Sequence, residues 1–574
     1  MDSALEEEAR GRALEDSVDR AGRECASSFG NYGIVVPRRL GCVATCSRGS
    51  HVLGPRCIRS TNMRAACSVN MTCKVRYTKR TFVHASAYPY GGRQSLCSPL
   101  DRVPPHITTP RSCPRCTMSY LSTLAPELLY IILSYLPPRD VVHFAQTCRR
   151  AAQFIQPDNF ALWKSAFLHV FDHPRYAWDA LVPSVRASNV LREAQWDWHH
   201  ELRRRMVAFN AVCESDRLTL LKTIEQVVKT LLDIEQTAAY TTRDTEDKPQ
   251  SLNLAFLSRL QNQSPDFDSI VHDYHRDINS VSLPLEFQAE SDRAVTRSMV
   301  GRRVAIPPWA SQFHVIHGPT KRERDSVFSK AAARAIVYDW NVTGSFAEYG
   351  PYDRSGGVNW QAVEAISSLM HRIFDMPLDM YKLTSYGFPM NIPKAIPVRP
   401  DSPEQDWAGL TGIWLGTYAF LDYRALVHFN IAHNQEYPLD LGEYEEACGD
   451  LMHLDIKVSD DEDLKLDTRL QPSLPYCHDL PILRFTGLSQ NQTAGRPSIG
   501  VRGFVCLTPS GREVRWRLII RYAGEDQWQL EGLQPGVRSG AIYGLWSHID
   551  HDDHGPTGPF FYAPAALCDL GETD

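Results

Sequence analysis

A run of histidines and aspartates near the C-terminus is the part of this sequence best suited to metal binding. From His548 to His554 every third residue is a histidine, and aspartates occupy most positions between them. Imidazole and carboxylate side chains bind zinc and other divalent ions. The run lies directly before a Gly-Pro turn, where no predicted helix or strand would fix the geometry of its ligands. We therefore interpret it as a solvated acidic loop, and we predict neither a metal nor a cofactor.

Other patterns that carry chemistry are absent or incomplete. Cys113 and Cys116 form a Cys-x-x-Cys pair, but no second pair follows at the spacing of a zinc finger. Gly536-Val-Arg-Ser-Gly540 has its serine one position away from that of a nucleophile elbow, and it lies between two predicted strands instead of between a strand and a helix. There is no phosphate-binding loop and no dinucleotide-binding fingerprint. The sequence therefore predicts a protein that is not an enzyme.

The net charge of −6 is unevenly distributed along the 574 residues. Residues 1–118 contain 18 Lys/Arg and 9 Asp/Glu, a net charge of +9, so the remainder carries −6 − 9 = −15. This prefix also holds nine of the fifteen cysteines, and it has no sustained helical or strand period. Its one basic cluster, 74–80, is too small for a nucleic-acid-binding arm. We predict a disordered or non-native leader over 1–117, with Met118 as the functional start.

The length of the chain predicts two to four domains. No run of 18 apolar residues is present, so the sequence predicts no membrane span. The first residues lack the basic and apolar regions of a signal peptide. We expect a cytoplasmic and/or nuclear protein with reduced thiols and with neither nucleic-acid nor membrane partners.

Residues 121–167 predict three short helices. Pro126 suits the first turn of a helix, where a missing N–H costs nothing, and Leu128 to Leu136 is apolar nearly all round. A proline pair follows, and then Asp140 and Asp158 are placed to cap the second and third helices. Three short helices cannot enclose so much apolar surface among themselves. Part of this surface should therefore face a partner.

This stretch resembles the F-box, the adaptor-docking module of SCF-type ubiquitin ligases. The resemblance rests on the Pro126-Glu-Leu-Leu opening, on Ile132-Leu-Ser-Tyr-Leu, on Cys148-Arg149 and on the closing Leu162-Trp163 pair. It implies a three-helix F-box over 118–167 that binds a Skp-family adaptor and, through it, a cullin–RING scaffold. The residues that the resemblance assigns to the adaptor contact are Leu124, Pro126, Leu129, Ile132, Leu133, Leu136, Val141, Val142, Leu162 and Trp163.

Residues 168–395 are predicted to form a helical linker domain. Apolar residues at helical spacing predict helices over 191–209, 220–234, 322–339 and 359–374. Arg203-Arg204-Arg205 lie mostly off the apolar face of the first of these helices. A proline-rich stretch from Pro389 to Pro403 then marks a linker.

From Trp407 the apolar period changes to that of strands. We predict strands over 412–420, 425–431, 480–486, 498–507, 513–522, 527–533 and 540–547, with a last one at 560–562. They predict an antiparallel β-barrel or sandwich over 405–565 and make the chain an α+β protein. An insertion at 436–467 has 12 acidic and 2 basic residues and is predicted to be a solvated loop. Within it, Ser459 precedes Asp-Asp-Glu-Asp and resembles an acidic-directed kinase site, whose phosphorylation would extend the loop.

The strand-rich half resembles the barrel of the F-box proteins that bind D-type cyclin. The resemblance rests on three motifs that begin at Gly412, Leu483 and Gly540: Gly-Ile-Trp-Leu-Gly-Thr-Tyr, Leu-Arg-Phe-Thr-Gly and Gly-Ala-Ile-Tyr-Gly-Leu-Trp. The layout of helices followed by a barrel is similar to that of many fungal F-box proteins. Barrel mouths offer concave sites with aromatic side chains. Four aromatic residues are therefore predicted to bind substrate, with core packing as the alternative for each: Trp414, Tyr418, Trp528 and Trp546.

These resemblances imply the substrate-recognition subunit of an SCF-type cullin–RING ubiquitin ligase. Such a subunit is not catalytic. It holds a protein substrate near a charged conjugating enzyme and so raises the effective concentration of the substrate's lysines. Two alternatives remain open: an F-box binding module that works outside a ligase, and a metal-dependent enzyme that uses the His548–His554 loop. The sequence has no leucine-rich or propeller repeats that would indicate a substrate class.

Overall fold

The three-dimensional structure is a computed structural model. It describes residues 124–179, 195–214, 217–239, 251–263, 267, 307–324, 326–343, 350–375, 382–383, 388–391, 406–432, 440–442, 446–448, 452–489, 499–522, 524–550 and 555–569. The predicted leader over 1–117 and the Cys113–Cys116 pair lie outside these residues. Within them, no helix is both long enough and apolar enough to cross a bilayer.

Residues 124–168 contain four helices, one more than the three predicted. They are α1 (Pro126–Ser134), α2 (Pro138–Ala145), α3 (Arg149–Phe154) and α4 (Phe160–Leu168). The added helix, α3, is capped by Cys148, whose sulfur accepts a hydrogen bond from the Ala151 N–H. Both predicted caps were wrong by one to three positions. Pro137 precedes α2, so Asp140 lies inside its first turn, and Asn159, not Asp158, caps α4 by accepting from the Leu162 N–H.

Five further helices complete the first hydrophobic core. They are α5 (Pro174–Asp179), α6 (Trp198–Glu214), α7 (Arg217–Gln236), α8 (Leu252–Gln263) and α9 (Pro308–His317). One continuous cluster of buried side chains extends from Leu129 on α1 to Ile316 on α9. Arg205 departs from the expectation that it lies off the apolar face, because its guanidinium is fully buried between the rings of Phe167 and Phe171. Burial there lowers the pKa of Arg205 to about 10.

A second core lies between helices and the outside of the barrel. The remaining helices before the barrel are α10 (Lys321–Arg324), α11 (Val327–Val337), α12 (Trp340–Thr343), α13 (Trp360–Asp375) and α14 (Phe388–Asn391). Helix α13 packs against α9 and α11 on one side and against three barrel strands on the other. Its residues Ile366, Leu369 and Phe374 are fully buried in this second core. The predicted helix at 322–339 is divided in two, since Ser326 caps α11.

The C-terminal half forms a closed barrel of eight antiparallel strands. In chain order they are β2 (Gly412–Phe420), β4 (Met452–Val458), β5 (Leu483–Ser489), β6 (Ile499–Leu507), β7 (Val514–Tyr522), β8 (Glu525–Gln534), β9 (Ile542–His548) and β10 (Thr557–Pro564). Each strand pairs with the next, and β10 returns to pair with β2, with Tyr562 opposite Gly416. This settles the choice between barrel and sandwich. Short pairs complete the sheets: β1 (Lys382–Leu383) with β11 (Cys568–Asp569), and β3 (Ala447–Cys448) with the end of β2.

The barrel interior is filled by side chains, as expected for eight strands. Trp414, Phe485 and Trp516 are buried there, and the rings of the two tryptophans lie 5.0 Å apart. The outside of β2, β9 and β10 is covered by α13. Three motif glycines lie where a neighbouring strand comes so close that a Cβ atom would overlap it: Gly416, Gly487 and Gly544.

Two sequence predictions in this half were wrong. The predicted strand at 425–431 is helix α15 (Tyr423–Val427) followed by one π-helical turn, because the Asp422 carboxylate accepts from the Arg424 and Ala425 N–H groups and starts a helix. The predicted acidic loop at 436–467 contains β4 and the short helix α16 (Glu462–Leu466). Met452, Leu454 and Ile456 alternate inward along β4. The high charge of the segment hid this period, although Asp455, the one acidic residue within β4, lies on the outer face of the strand.

Candidate functional sites: a helix stripe and a barrel mouth

Helix α1 is apolar on two faces, and only one of them is buried. Leu129 and Leu133 face the first core and are 3% and 2% exposed. A second set of apolar residues, at positions i, i+3, i+4 and i+7 along the helix and its C-cap, faces outward, and we call it the α1 stripe. It consists of Leu128 (51% exposed), Ile131 (49%), Ile132 (42%) and Tyr135 (76%).

Packing of α1 on its neighbours fixes the direction of the α1 stripe. The carbonyl oxygen of Ser134 accepts a hydrogen bond from Ser165 Oγ at 3.2 Å and contacts the His169 ring, so α4 holds the end of α1. Trp163 donates its indole N–H to the Gln156 carbonyl at 2.9 Å and is buried against α1 and α6. Exposed apolar side chains also occur on α2 and α4, at Val142 and Phe160.

The ten residues predicted to contact an adaptor divide by burial. Pro126, Ile132 and Val142 are exposed, and Leu124 and Leu136 are half-buried. The other five lie in the chain's own core: Leu129, Leu133, Val141, Leu162 and Trp163. Sequence reasoning missed Leu128, Ile131 and Tyr135. Their spacing was visible in the sequence, but an all-round apolar helix does not reveal which side its own chain covers.

Three of the four aromatics predicted to bind substrate come together at one end of the barrel. This barrel mouth is lined by Tyr418, Met452, Ile520, Tyr522, Trp528, Leu530 and Trp546. The fourth aromatic, Trp414, lies elsewhere in the interior, where its indole N–H donates to the Leu410 carbonyl at 2.9 Å. For Trp414 the alternative of core packing is therefore the better description.

Ring contacts give the barrel mouth a defined shape. The rings of Trp528 and Trp546 meet edge to face with centroids 5.2 Å apart, and Tyr418 meets Trp546 in the same way at 5.9 Å. The indole N–H of Trp546 donates to the Ala419 carbonyl at 3.0 Å, which fixes that ring. The enclosed cavity is about 20 Å³, enough for one water molecule or the end of one side chain. Tyr418 and Tyr522 are only half-buried and form part of its open side.

The remaining candidates for chemistry are poorly placed for it. Burial raises the pKa of Cys448 and Cys568 to about 11, so these thiols stay protonated. Ser539 is buried and donates its hydroxyl hydrogen to the Gly536 carbonyl at 2.8 Å. His548 packs edge-on against Trp528, and residues 551–554 of its loop lie outside the described part of the chain. In the described ranges, no three His, Cys, Asp or Glu side chains form a metal site.

A buried ionic cluster connects the helices that lie between the two candidate sites. His314 on α9 lies between the carboxylates of Glu323 on α10 and Glu364 on α13. Glu323 also accepts hydrogen bonds from Ser368 Oγ and the Thr320 N–H. Burial alone would lower the pKa of His314, but the two carboxylates outweigh it and hold this pKa well above its usual value. The pKa of Glu323 is correspondingly lowered.

Comparison with known proteins bears on the first candidate site. Residues 122–169 match the F-box-like family, so the chain carries an F-box-like domain that includes the whole α1 stripe. No curated protein and no solved structure gives a significant match to the chain. The likeness to the cyclin-binding and fungal proteins therefore stays an expectation.

Proposed function

We propose that this chain is the substrate-recognition subunit of an SCF-type cullin–RING ubiquitin ligase. The observation that carries the proposal is the α1 stripe, four exposed apolar side chains on the first helix of an F-box-like domain. Exposed apolar side chains that are contiguous on one helix face favour a protein partner. F-box domains typically bind Skp-family adaptors, which gives the stripe its proposed partner.

The burial of these side chains supports two roles within the proposed adaptor contact. Leu128, Ile131, Ile132 and Tyr135 contact the adaptor directly, together with Pro126 and Val142. Leu129, Leu133, Val141, Leu162 and Trp163 hold these side chains in place from the core below. Substitution of a buried residue would therefore disturb adaptor binding only by disturbing the fold.

The barrel mouth is the proposed position of the substrate. Ring contacts hold Trp528, Trp546 and Tyr418 together, and Tyr418 and Tyr522 are the half-buried members of the lining. Aromatic side chains with a polar group are common at protein-binding hot spots. Because the cavity is small, the contact we propose is the end of one substrate side chain together with its flanking backbone.

No catalytic step is assigned to this chain. In the proposed assembly the conjugating enzyme transfers ubiquitin, and this chain positions the substrate. The link between the two sites should therefore be stiff, because the effective concentration of a substrate lysine depends on geometry. Helices α9 and α13 could provide this stiffness, since α9 belongs to both cores and α13 packs directly on the barrel.

The experiment that tests the proposal is purification of the tagged full-length chain from cells under proteasome inhibition. Quantitative mass spectrometry should detect a Skp-family adaptor and a cullin together. Recovery of the adaptor without a cullin would favour the alternative of an F-box module outside a ligase. Absence of the adaptor would contradict the proposal.

A further inference from the structure

Ser459 lies at the point where β4 ends and the acidic helix α16 begins. Its N–H donates to the carbonyl of Arg484 at 2.9 Å and so extends the β4–β5 ladder by one residue beyond the Val458–Phe485 pair. In an antiparallel pair, residues directly opposite each other project their side chains from the same face. Phe485 points into the barrel. Ser459 and Arg484 therefore share the outer face.

Arg484 has hydrogen-bonding capacity that its surroundings leave unused. Its Nε atom is buried and has no hydrogen-bond partner among the residues that the structure describes, and its Nη2 atom donates to Gln471 Oε1 at a long 3.3 Å. Burial lowers the pKa of Arg484, and the smaller effects of Tyr476 and Glu462 act against this shift. An anion at the opposite position on β4 would accept the hydrogen bonds that the Arg484 guanidinium leaves unused.

Two lysines add positive charge near Ser459. Lys457 is two residues earlier on the same outer face of β4 and forms a 3.8 Å ion pair with Asp455. Lys465 lies on α16 and pairs with Glu462. Asp460 and Asp461 oppose phosphate binding, because their carboxylates would repel a phosphate on Ser459. Among these charges, Arg484 should have the largest effect on a phosphate at position 459, because it lies directly opposite Ser459.

The four residues that follow Ser459 suit a kinase that selects acidic substrates. Residues 460–463 are Asp-Asp-Glu-Asp, and all four side chains are exposed. Helix α16 has only five residues and is buried chiefly through Leu464. The segment can therefore open locally at little cost, as phosphoryl transfer to a half-buried serine requires.

We propose that Ser459 is a phosphorylation site whose phosphate is bound by Arg484. The Ser459 oxygen attacks the γ-phosphorus of ATP, a new O–P bond forms, the bond to the β–γ bridging oxygen breaks, and ADP and the hydroxyl proton leave. The phosphate then ties the end of β4 to β5. The sequence alone suggested the opposite result, an extended acidic loop, because it did not reveal the arginine across the ladder.

The test uses the purified full-length chain, ATP and an acid-directed Ser/Thr kinase, with site mapping by mass spectrometry. A synthetic peptide covering 454–468 serves as a parallel substrate. We expect phosphate on Ser459 in both, loss of that signal in Ser459→Ala, and a slower reaction in Glu462→Gln. Phosphorylation of the peptide but not of the folded chain would overturn the proposal.

A second measurement tests the role of Arg484. The phosphorylated chain should melt about 2 °C above the unmodified chain. Arg484→Gln should remove this gain, whereas Arg424→Gln, at an exposed position on α15, should keep it. Equal gains in the two variants, or a lower melting temperature on phosphorylation, would show that Arg484 does not bind the phosphate.

Discussion

The imidazole Nε2 of His314 lies 2.7 Å from Oε2 of Glu323, and both side chains are buried. The opposite ring nitrogen, Nδ1, lies 2.6 Å from Oε1 of Glu364. A charged imidazole therefore sits between two carboxylates that belong to different helices. The cluster lies where α9 passes from the first core to the second, so it helps to fix the F-box-like domain relative to the barrel.

Removal of the charge at His314 should be costly. In His314→Gln the buried carboxylates of Glu323 and Glu364 would lose the cation that lies between them, and breaking a buried pair in this way costs about 3–5 kcal/mol. His143→Gln is the matched control. His143 is exposed on α2, and its contact with Asp140 is long, at 4.0 Å. This substitution should lower the free energy of unfolding by less than about 1 kcal/mol. Denaturant unfolding at pH 6 measures both. Equal losses would contradict a structural role for the cluster.

The two buried histidines near this cluster should titrate in opposite directions. His314 has a raised pKa and should remain an imidazolium above neutral pH. His371, which contacts the Tyr543 hydroxyl at 3.1 Å, has a pKa lowered to about 3 by burial and should stay neutral at pH 5. NMR of labelled histidines, assigned with His314→Gln and His371→Gln, distinguishes the two.

The sign of the pH effect on stability follows from these shifts. The folded chain keeps a proton on His314 that the unfolded chain loses near pH 6.5. The contribution of His314 to stability is thus complete below pH 6.5 and declines as the pH rises toward the folded pKa. Glu323 stabilises the folded chain above about pH 4.5, which is the pKa of a glutamate in the unfolded chain. This stabilisation is lost as the pH falls toward the lower pKa of the folded state. A neutral His314 in the NMR spectrum at pH 7 would contradict this account.

Gly416 should tolerate no side chain. A Cβ atom there would lie 2.1 Å from the Tyr562 ring and 2.2 Å from the Phe561 carbonyl oxygen, and the latter is backbone that cannot rotate away. Gly416→Ala should therefore destabilise the chain by about 1–3 kcal/mol. Gly500→Ala is the control, since its nearest neighbour, Arg521 Cβ, would be at 3.6 Å, and it should change stability by less than about 0.5 kcal/mol. The free energies of unfolding of the two variants test this contrast.

Substitutions of Trp414 and Tyr418 should have different effects, although both residues were predicted to bind substrate. Trp414→Ala removes a fully packed interior ring and should cost about 3–5 kcal/mol. Tyr418→Ala, at the barrel mouth, should leave the fold and adaptor recovery intact while it depletes proposed substrates from the purified complex. Thermal melting and quantitative mass spectrometry measure the two effects. An unchanged set of co-purifying proteins in Tyr418→Ala would contradict substrate binding at the mouth.

The parts of the fold that the sequence predicted are those with a strong local signal. Alternating apolar residues placed β6 and β7 within one residue, and the proline at position 126 placed the start of α1. The F-box resemblance was confirmed by the family match over 122–169. The antiparallel barrel was also predicted, and the return of β10 to β2 distinguishes it from a sandwich.

The misses arise where a local signal was outweighed or hidden. A capping carboxylate at Asp422 turned an alternating stretch into a helix, and outward-facing acids concealed β4. The sequence did not reveal which of the predicted adaptor residues lie in the core, for a related reason. Periodicity shows which residues of α1 are apolar, but only tertiary packing shows that Leu133 points inward while Ile132 points outward. The ionic partners of His314 lie nine and 50 residues away on two other helices, and neither distance is a helical or strand spacing that sequence reasoning could have used.

The most direct test of the central claim is the affinity of the purified chain for a purified Skp-family adaptor, measured by calorimetry. Leu128→Asp combined with Ile132→Asp places two charges in the α1 stripe and should raise the Kd by about a hundredfold or more. Val207→Asp combined with Val327→Asp alters two equally exposed valines on α6 and α11 and should leave the Kd unchanged. Both variants should melt within a few degrees of the unmodified chain. A stripe variant that folds and still binds the adaptor with unchanged Kd would contradict the claim.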